Sequence, residues 1–194
     1  MRARRTVRVL AAALLCTALA LSAPAREVHH ETSAVVGFSP QNGQNSAEDL
    51  VLQTIAQARS RIRVAMFTFS SRRIAKALVE ARARGIDVAV VVDPDNGDGP
   101  RSALALLRAG GVGVRRNGHY ARMHHKFMVV DGRHVQTGSY NYTYAAATQN
   151  AENVLLLRNA PALAAAYERE WQRLWNEAGA PDAAVPDGGP RTVP

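Results

Sequence analysis

Cysteine is all but missing: Cys16 stands alone in 194 residues, inside an apolar N-terminal run. A single thiol closes no disulfide within the chain, so the fold must rest on its core. Lysine is nearly as scarce, since among 24 basic residues only Lys76 and Lys126 are lysine. Acidic residues are absent from the first 25 positions, where four arginines precede the apolar run VLAAALLCTALAL and Ala23-Pro24-Ala25 offers an A-x-A cleavage site. That run is shorter than the ~20 residues a membrane span requires. The pattern predicts a cleaved signal peptide over 1–25, a secreted or periplasmic location, and no stable membrane association once the leader is gone. Taking its four arginines from the 24 basic residues leaves 20 against 16 acidic, a net charge of +4 in place of +8. Such a balance permits a polyanionic partner without demanding one. No internal repeat is present. Residues 181–194 carry four prolines and little apolar content, which predicts a disordered tail and leaves one domain over 26–180.

Within that domain, strand and helix patterns alternate. AVVGFSP (34–40), RIRVAMFTFS (61–70) and IDVAVVVD (86–93) read as strands, the last apolar throughout, as a strand covered on both faces should be. Ser46 followed by Asp49 resembles a helix-capping pair, and SRRIAKALVEARARG reads as a helix stopped at Gly85. A short helix around Leu104 and Leu107 leads to a strand at VGVRR, and HHKFMVV and HVQTGS form a hairpin across Asp131-Gly132. A short helical piece near 142–147, a strand at NVLLL and a final helix from Pro161, with Leu163, Tyr167, Trp171 and Leu174 on one stripe, complete the domain. The expected fold class is α/β, a mixed β-sheet sandwiched between helices.

The chemistry concentrates in MHHKFMVVDGRHVQTGSYN, residues 123–141. In an extended strand side chains alternate, so His124 and Lys126 share one face and His125 points to the other. With Ser139 and Asn141 on the neighbouring strand, these groups form a donor set suited to a phosphate. Lys126 is a compact cation, Ser139 and Asn141 are neutral donors, and His124 is a nucleophile or a proton carrier. Asp131 falls on the parity of His125 at the strand end, which favours a structural role for it.

The spacing His124-x-Lys126, four residues, Asp131, six residues, Gly138-Ser139-x-Asn141 resembles the signature of the phospholipase D superfamily at every defined position. The chain is most similar to its short single-motif bacterial endonucleases. The resemblance implies a phospholipase D-like α-β-α fold and a phosphodiesterase that uses no metal or other cofactor. It implies that His124 attacks phosphorus to give a phosphohistidine, while a second motif histidine protonates the leaving oxygen. Lys126, Ser139 and Asn141 would hold the non-bridging oxygens, and Glu152 stands where the family has a glutamate that orients the histidine. Asp131 belongs to the signature as well. The substrate class implied first is DNA, and RNA with it. A phospholipid, as in phospholipase D or a cardiolipin-type hydrolase, is the alternative, and a non-catalytic nucleic-acid-binding protein a third reading.

Two motif histidines are required, yet this chain has a single His-x-Lys; His29, His30, His119, His125 and His134 all fail the pattern. The expectation is a homodimer with the active site at its two-fold interface. Arg72, Arg73, Arg115, Arg116, Arg122 and Arg133 sit near element ends and offer a basic track for a nucleic-acid backbone, with Arg72 and Arg122 named as substrate contacts. The alternative for these arginines is ordinary solvated charge. DPDNGDG (93–99) lacks the ligands of a calcium loop and is expected to be a solvated turn.

Overall fold

The computed structural model describes residues 31–40, 46–100 and 102–179. The signal peptide expected over 1–25, His29 and His30, and the tail expected over 181–194 lie outside the described residues. The strands are β1 (Ser33–Ser39), β2 (Arg61–Met66), β3 (Asp87–Val92), β4 (Gly113–Arg116), β5 (Lys126–Val130), β6 (His134–Gly138) and β7 (Glu152–Arg158). The helices are α1 (Ala47–Ala56), α2 (Arg72–Ala83), α3 (Ala103–Ala109), α4 (Tyr144–Thr148) and α5 (Pro161–Glu177).

All seven strands form one mixed sheet in the order β1-β7-β6-β5-β2-β3-β4. β2, β3 and β4 run parallel, joined by helical crossovers, and β2, β5, β6, β7 and β1 are antiparallel neighbours. The register separates two cores. Val64, Val90, Met128 and Leu156 pack with residues of α1, α2 and α3 on one face. Ala65, Val91, Phe127 and Val129 pack beneath α5 on the other. β3 is buried from Val88 to Val92, so its unbroken valine run serves both cores.

Each of α1, α2, α3 and α4 begins at a Ser or Thr whose hydroxyl accepts a first-turn amide, from Ser46, Ser71, Ser102 and Thr143 respectively. α5 has no such cap and starts on proline instead. It is pinned to the central strand by Trp171, whose buried indole N–H donates to the Val64 carbonyl at 2.8 Å. Leu163 departs from the expected buried stripe: it is 37% exposed, and the smaller Ala164 is buried there instead.

The hairpin at Asp131-Gly132 forms as expected, with φ of 55° and 63° at the two residues, the left-handed pair that matches strand twist. The preceding strand is shorter than expected, because β5 begins at Lys126. His124 and His125 continue past its end, held by one ladder bond in which Phe67 N–H donates to the His125 carbonyl at 2.8 Å.

Candidate active site

The motif residues meet at the end of the sheet where β2 and β3 finish and β5 and β7 begin. Open α/β sheets place their ligands beyond the carboxyl ends of parallel strands in this way. His124 is fixed on both sides by backbone. The Met123 amide donates to the buried Asp93 carboxylate at 2.8 Å, and the His125 carbonyl holds Phe67. Its ring lies 4.4 Å from that of Phe67, and Lys126 sits 5.1 Å over the same ring. The Lys126 ammonium is 3.3 Å from His124 Nδ1, 3.5 Å from Nε2 and 3.0 Å from the His124 carbonyl oxygen. The ammonium thus lies nearly equidistant from the two ring nitrogens and donates to the His124 carbonyl oxygen. His125 turns the other way, as strand parity requires, and reaches Glu170 of α5 at 3.1 Å.

Burial pulls the Lys126 ammonium below the ordinary lysine range, and the charge of Glu152 acts in the opposite direction. Glu152 begins β7. Among the described residues its hydrogen-bond partner is Asn150, at 3.1 Å, and not His124. The structure thus places the negative charge of this glutamate where it opposes the effect of burial on Lys126. Glu152→Gln is expected to move the alkaline limb of the activity profile to lower pH, because Lys126 then loses its proton more readily. An unchanged alkaline limb, measured on kcat/KM, would refute this coupling.

The Gly-Ser-x-Asn segment has a steric cause. Gly138 adopts a φ of +144°, and a Cβ there would lie 2.2 Å from the Asn153 carbonyl oxygen. That close approach lets Ser139 lock onto β7: its amide donates to the Asn153 carbonyl at 3.2 Å, and its Oγ accepts the Asn153 amide at 3.1 Å. Asn141 Oδ1 accepts the Thr68 amide at 3.2 Å. In both side chains the acceptor is occupied by backbone, and the hydroxyl hydrogen and the amide NH2 are left to donate. Such a set suits an anionic oxygen. Between and beyond them Tyr140 and Tyr142 are buried, and Tyr142 donates its hydroxyl hydrogen to Gln136 at 2.6 Å.

Asp131 is not part of this cluster. It lies at the opposite end of β5, where its carboxylate accepts the backbone amides of Arg59, Ser60 and Arg61 and the Ser60 hydroxyl at 2.8–3.2 Å. Those bonds hold its carboxyl below the usual range against the opposing effect of burial. It braces the entry to β2, a structural position.

The arginines expected near the site occupy different settings. Arg73 pairs with Glu48 and Asp49, Arg116 with Asp98, and Arg133 with Asn159. Arg115 donates to the Trp175 carbonyl at 2.8 Å and lies over its ring at 4.2 Å. Arg122 meets Asp95 at 2.8 Å in an exposed pair, and Arg72 opens α2. Arg115 and Arg116 are thus tied within the fold, whereas Arg73 and Arg122 hold their partners in exposed pairs.

The loop 93–99 is solvated only in part, with Asp95, Gly97 and Gly99 exposed. Asp93 and Asn96 are buried, and Asn96 bonds the Phe69 amide and the Phe67 carbonyl, both at 2.6 Å. They position the segments on either side of His124, while Asn117, fully buried, donates to the Leu174 carbonyl at 2.9 Å and so ties β4 to the end of α5. Sequence reasoning missed all three. The available signal was the placement of Asp93 and Asn117 immediately after parallel strands, with Asn96 three residues beyond Asp93.

A cavity of about 460 Å³ opens beside His124 and Lys126, floored by Phe127, Tyr167 and Ala166 with Glu170 at its edge. Residues 51–175 match the family described as cardiolipin synthase, PLD-like domain. The chain belongs to the phospholipase D superfamily. It is 41% identical over 128 residues to the mitochondrial cardiolipin hydrolase of Xenopus laevis, covering 66% of this chain and 60% of that protein. It is 32% identical over 176 residues to the human mitochondrial cardiolipin hydrolase, covering 91% of this chain and 69% of that one. The chain thus spans about 60% of the Xenopus relative's length. Among solved structures it resembles Nuc from Salmonella typhimurium, a phospholipase D family member, with a TM-score of 0.70 and 38% identity over 76% of this chain and 96% of that one.

The superfamily relatives overturn the expected secreted or periplasmic location, because the curated cardiolipin hydrolases are mitochondrial proteins. The misreading has a physical source. A basic, acid-free start is common to secretory and mitochondrial leaders, so its charge does not name the compartment.

Proposed function

We propose that this phosphodiesterase is a metal-independent endonuclease with little sequence preference, working through a phosphohistidine on His124. The supporting observation is the pairing of His124 with a half-buried ammonium, Lys126 Nζ at 3.3 Å, beside the spare donors of Ser139 and Asn141. A ring nitrogen of His124 gives its lone pair to phosphorus as the bond from phosphorus to the leaving oxygen breaks. Lys126, Ser139 and Asn141 take up the charge on the non-bridging oxygens. A second histidine donates a proton to the leaving oxygen, then takes one from the water that cleaves the phosphorus–nitrogen bond. The chain has one His-x-Lys, so His124 of a second copy fills that role in a two-fold dimer.

The likeness to Nuc over 96% of that chain favours a nucleic-acid substrate. The likeness to cardiolipin hydrolases, together with the apolar floor of Phe127 and Tyr167, favours a phospholipid. Plasmid, single-stranded DNA, RNA and cardiolipin vesicles, each with and without EDTA, separate these readings. Nucleic-acid cleavage that survives EDTA is expected. Hydrolysis confined to vesicles selects the lipid reading, and activity abolished by chelation removes the proposed mechanism. Sedimentation at assay concentration is expected to give a dimer, and an active monomer would end the shared-site proposal.

A further inference from the structure

Three tyrosines alternate after the Gly-Ser pair, and the fold treats the third differently. Tyr140 and Tyr142 are fully buried, whereas Tyr144 is 72% exposed, the most exposed large apolar side chain among the described residues. Parity would carry it inward with the other two, but helix α4 starts at Tyr144, capped by the Thr143 hydroxyl, and the change of period swings the ring out. Leaving so large a ring in water forgoes the burial that stabilises aromatics elsewhere in the fold.

Its surroundings suit a ligand with a flat face and a charged strand. Tyr144 lines an open cleft of about 520 Å³ with Ser70, Ser71, Arg72 and Thr148. The acidic residues of that cleft, Glu48 and Asp49, are both paired with Arg73, at 2.7 and 3.5 Å. The cleft adjoins the reacting centre. Ser70 and Ser71 donate their amides to the Tyr142 carbonyl at 2.8 Å, and Thr68, just before them, is held by Asn141. Tyr144 lies three positions after Asn141, so their backbones are at most ~11 Å apart. This is within one or two nucleotides of a phosphate held by Asn141.

We infer that Tyr144 is a base-stacking platform, with Arg72 beside it for the backbone phosphate, gripping a nucleotide next to the scissile bond of a single strand. The inference rests on the nucleic-acid reading above. Stacking on one aromatic ring is sequence-tolerant, because every base has a π-face. It also favours unpaired strands, whose bases are free to leave their neighbours.

The test compares wild type, Tyr144→Ala, Tyr144→Leu and Tyr144→Phe on a single-stranded oligonucleotide and on the same oligonucleotide with abasic residues flanking the cut. The expected result is a rise in KM of roughly tenfold for Ala and Leu on the intact strand, with kcat little changed. Phe is expected to restore the wild-type KM, since stacking uses the ring and not the hydroxyl. On the abasic strand all four proteins are expected to share one KM. Cleavage with no KM difference for Tyr144→Ala, or a loss that Leu repairs as well as Phe, overturns the stacking role while leaving the nuclease reading standing. A wild-type protein that cleaves vesicles and no nucleic acid removes both.

Discussion

His124→Ala is expected to remove phosphodiester hydrolysis, by on the order of 10⁴-fold or more in kcat/KM, with the fold intact. Losing a covalent nucleophile costs about as much as losing the whole catalytic group it works with. The ring contacts Phe67 and Lys126 at the rim of the sheet and fills no core position. The positions on either side of it are fixed by backbone bonds that the substitution leaves in place. The thermal midpoint should therefore move little while turnover disappears. Hydrolysis within tenfold of wild type would exclude His124 as the nucleophile. His125→Ala is the control, since its ring faces α5 and bonds Glu170, and it is expected to retain most of the activity.

Gly138→Ala is expected to be the most damaging small change for stability. The backbone there is at φ +144°, and a methyl group would sit 2.2 Å from the Asn153 carbonyl oxygen and 2.7 Å from its Oδ1. β6 and β7 must part to relieve this, and both Ser139–Asn153 bonds depart with them. Strain of ~1–3 kcal/mol and the loss of the Ser139–Asn153 bonds together suggest about 3 kcal/mol. In a chain of this size that corresponds to a fall of roughly 6–12 °C in Tm. Gly85→Ala separates strain from collision: Gly85 also has a positive φ, +89°, but nothing lies within 4 Å of the added carbon. It should cost about 1 kcal/mol and leave activity unaltered. Equal losses for the two variants, by thermal melts, would refute the steric account of the Gly-Ser pair.

The fold was legible wherever local period sufficed. The valine run of β3, the Asp-Gly hairpin, the Ser46 cap and Pro161 each carry their conformation in a few neighbouring residues. Leu163 was misjudged because period marks the stripe but not how far the sheet beneath it extends. The partners of the arginines were not legible for a related reason. Arg115 meets Trp175 across 60 residues and Arg122 meets Asp95 across 27, and nothing near either in sequence announces its partner.

Sequence by itself determined the chemistry-bearing set and its handedness. His124-x-Lys126 and Gly138-Ser139-x-Asn141 are named by spacing, and strand parity alone sends His124 and His125 to opposite faces. These follow from a repeat of two, which belongs to the local backbone. The tertiary structure decided the rest: that Asp131 braces the far end of β5, that the charge of Glu152 opposes the burial of Lys126, and that Asp93 and Asn96 hold the segments around His124 while Asn117 ties the end of α5. Burial, and the partner that makes burial of a polar group tolerable, depend on which distant segment covers it. That information exists only once the strands have taken their order in the sheet.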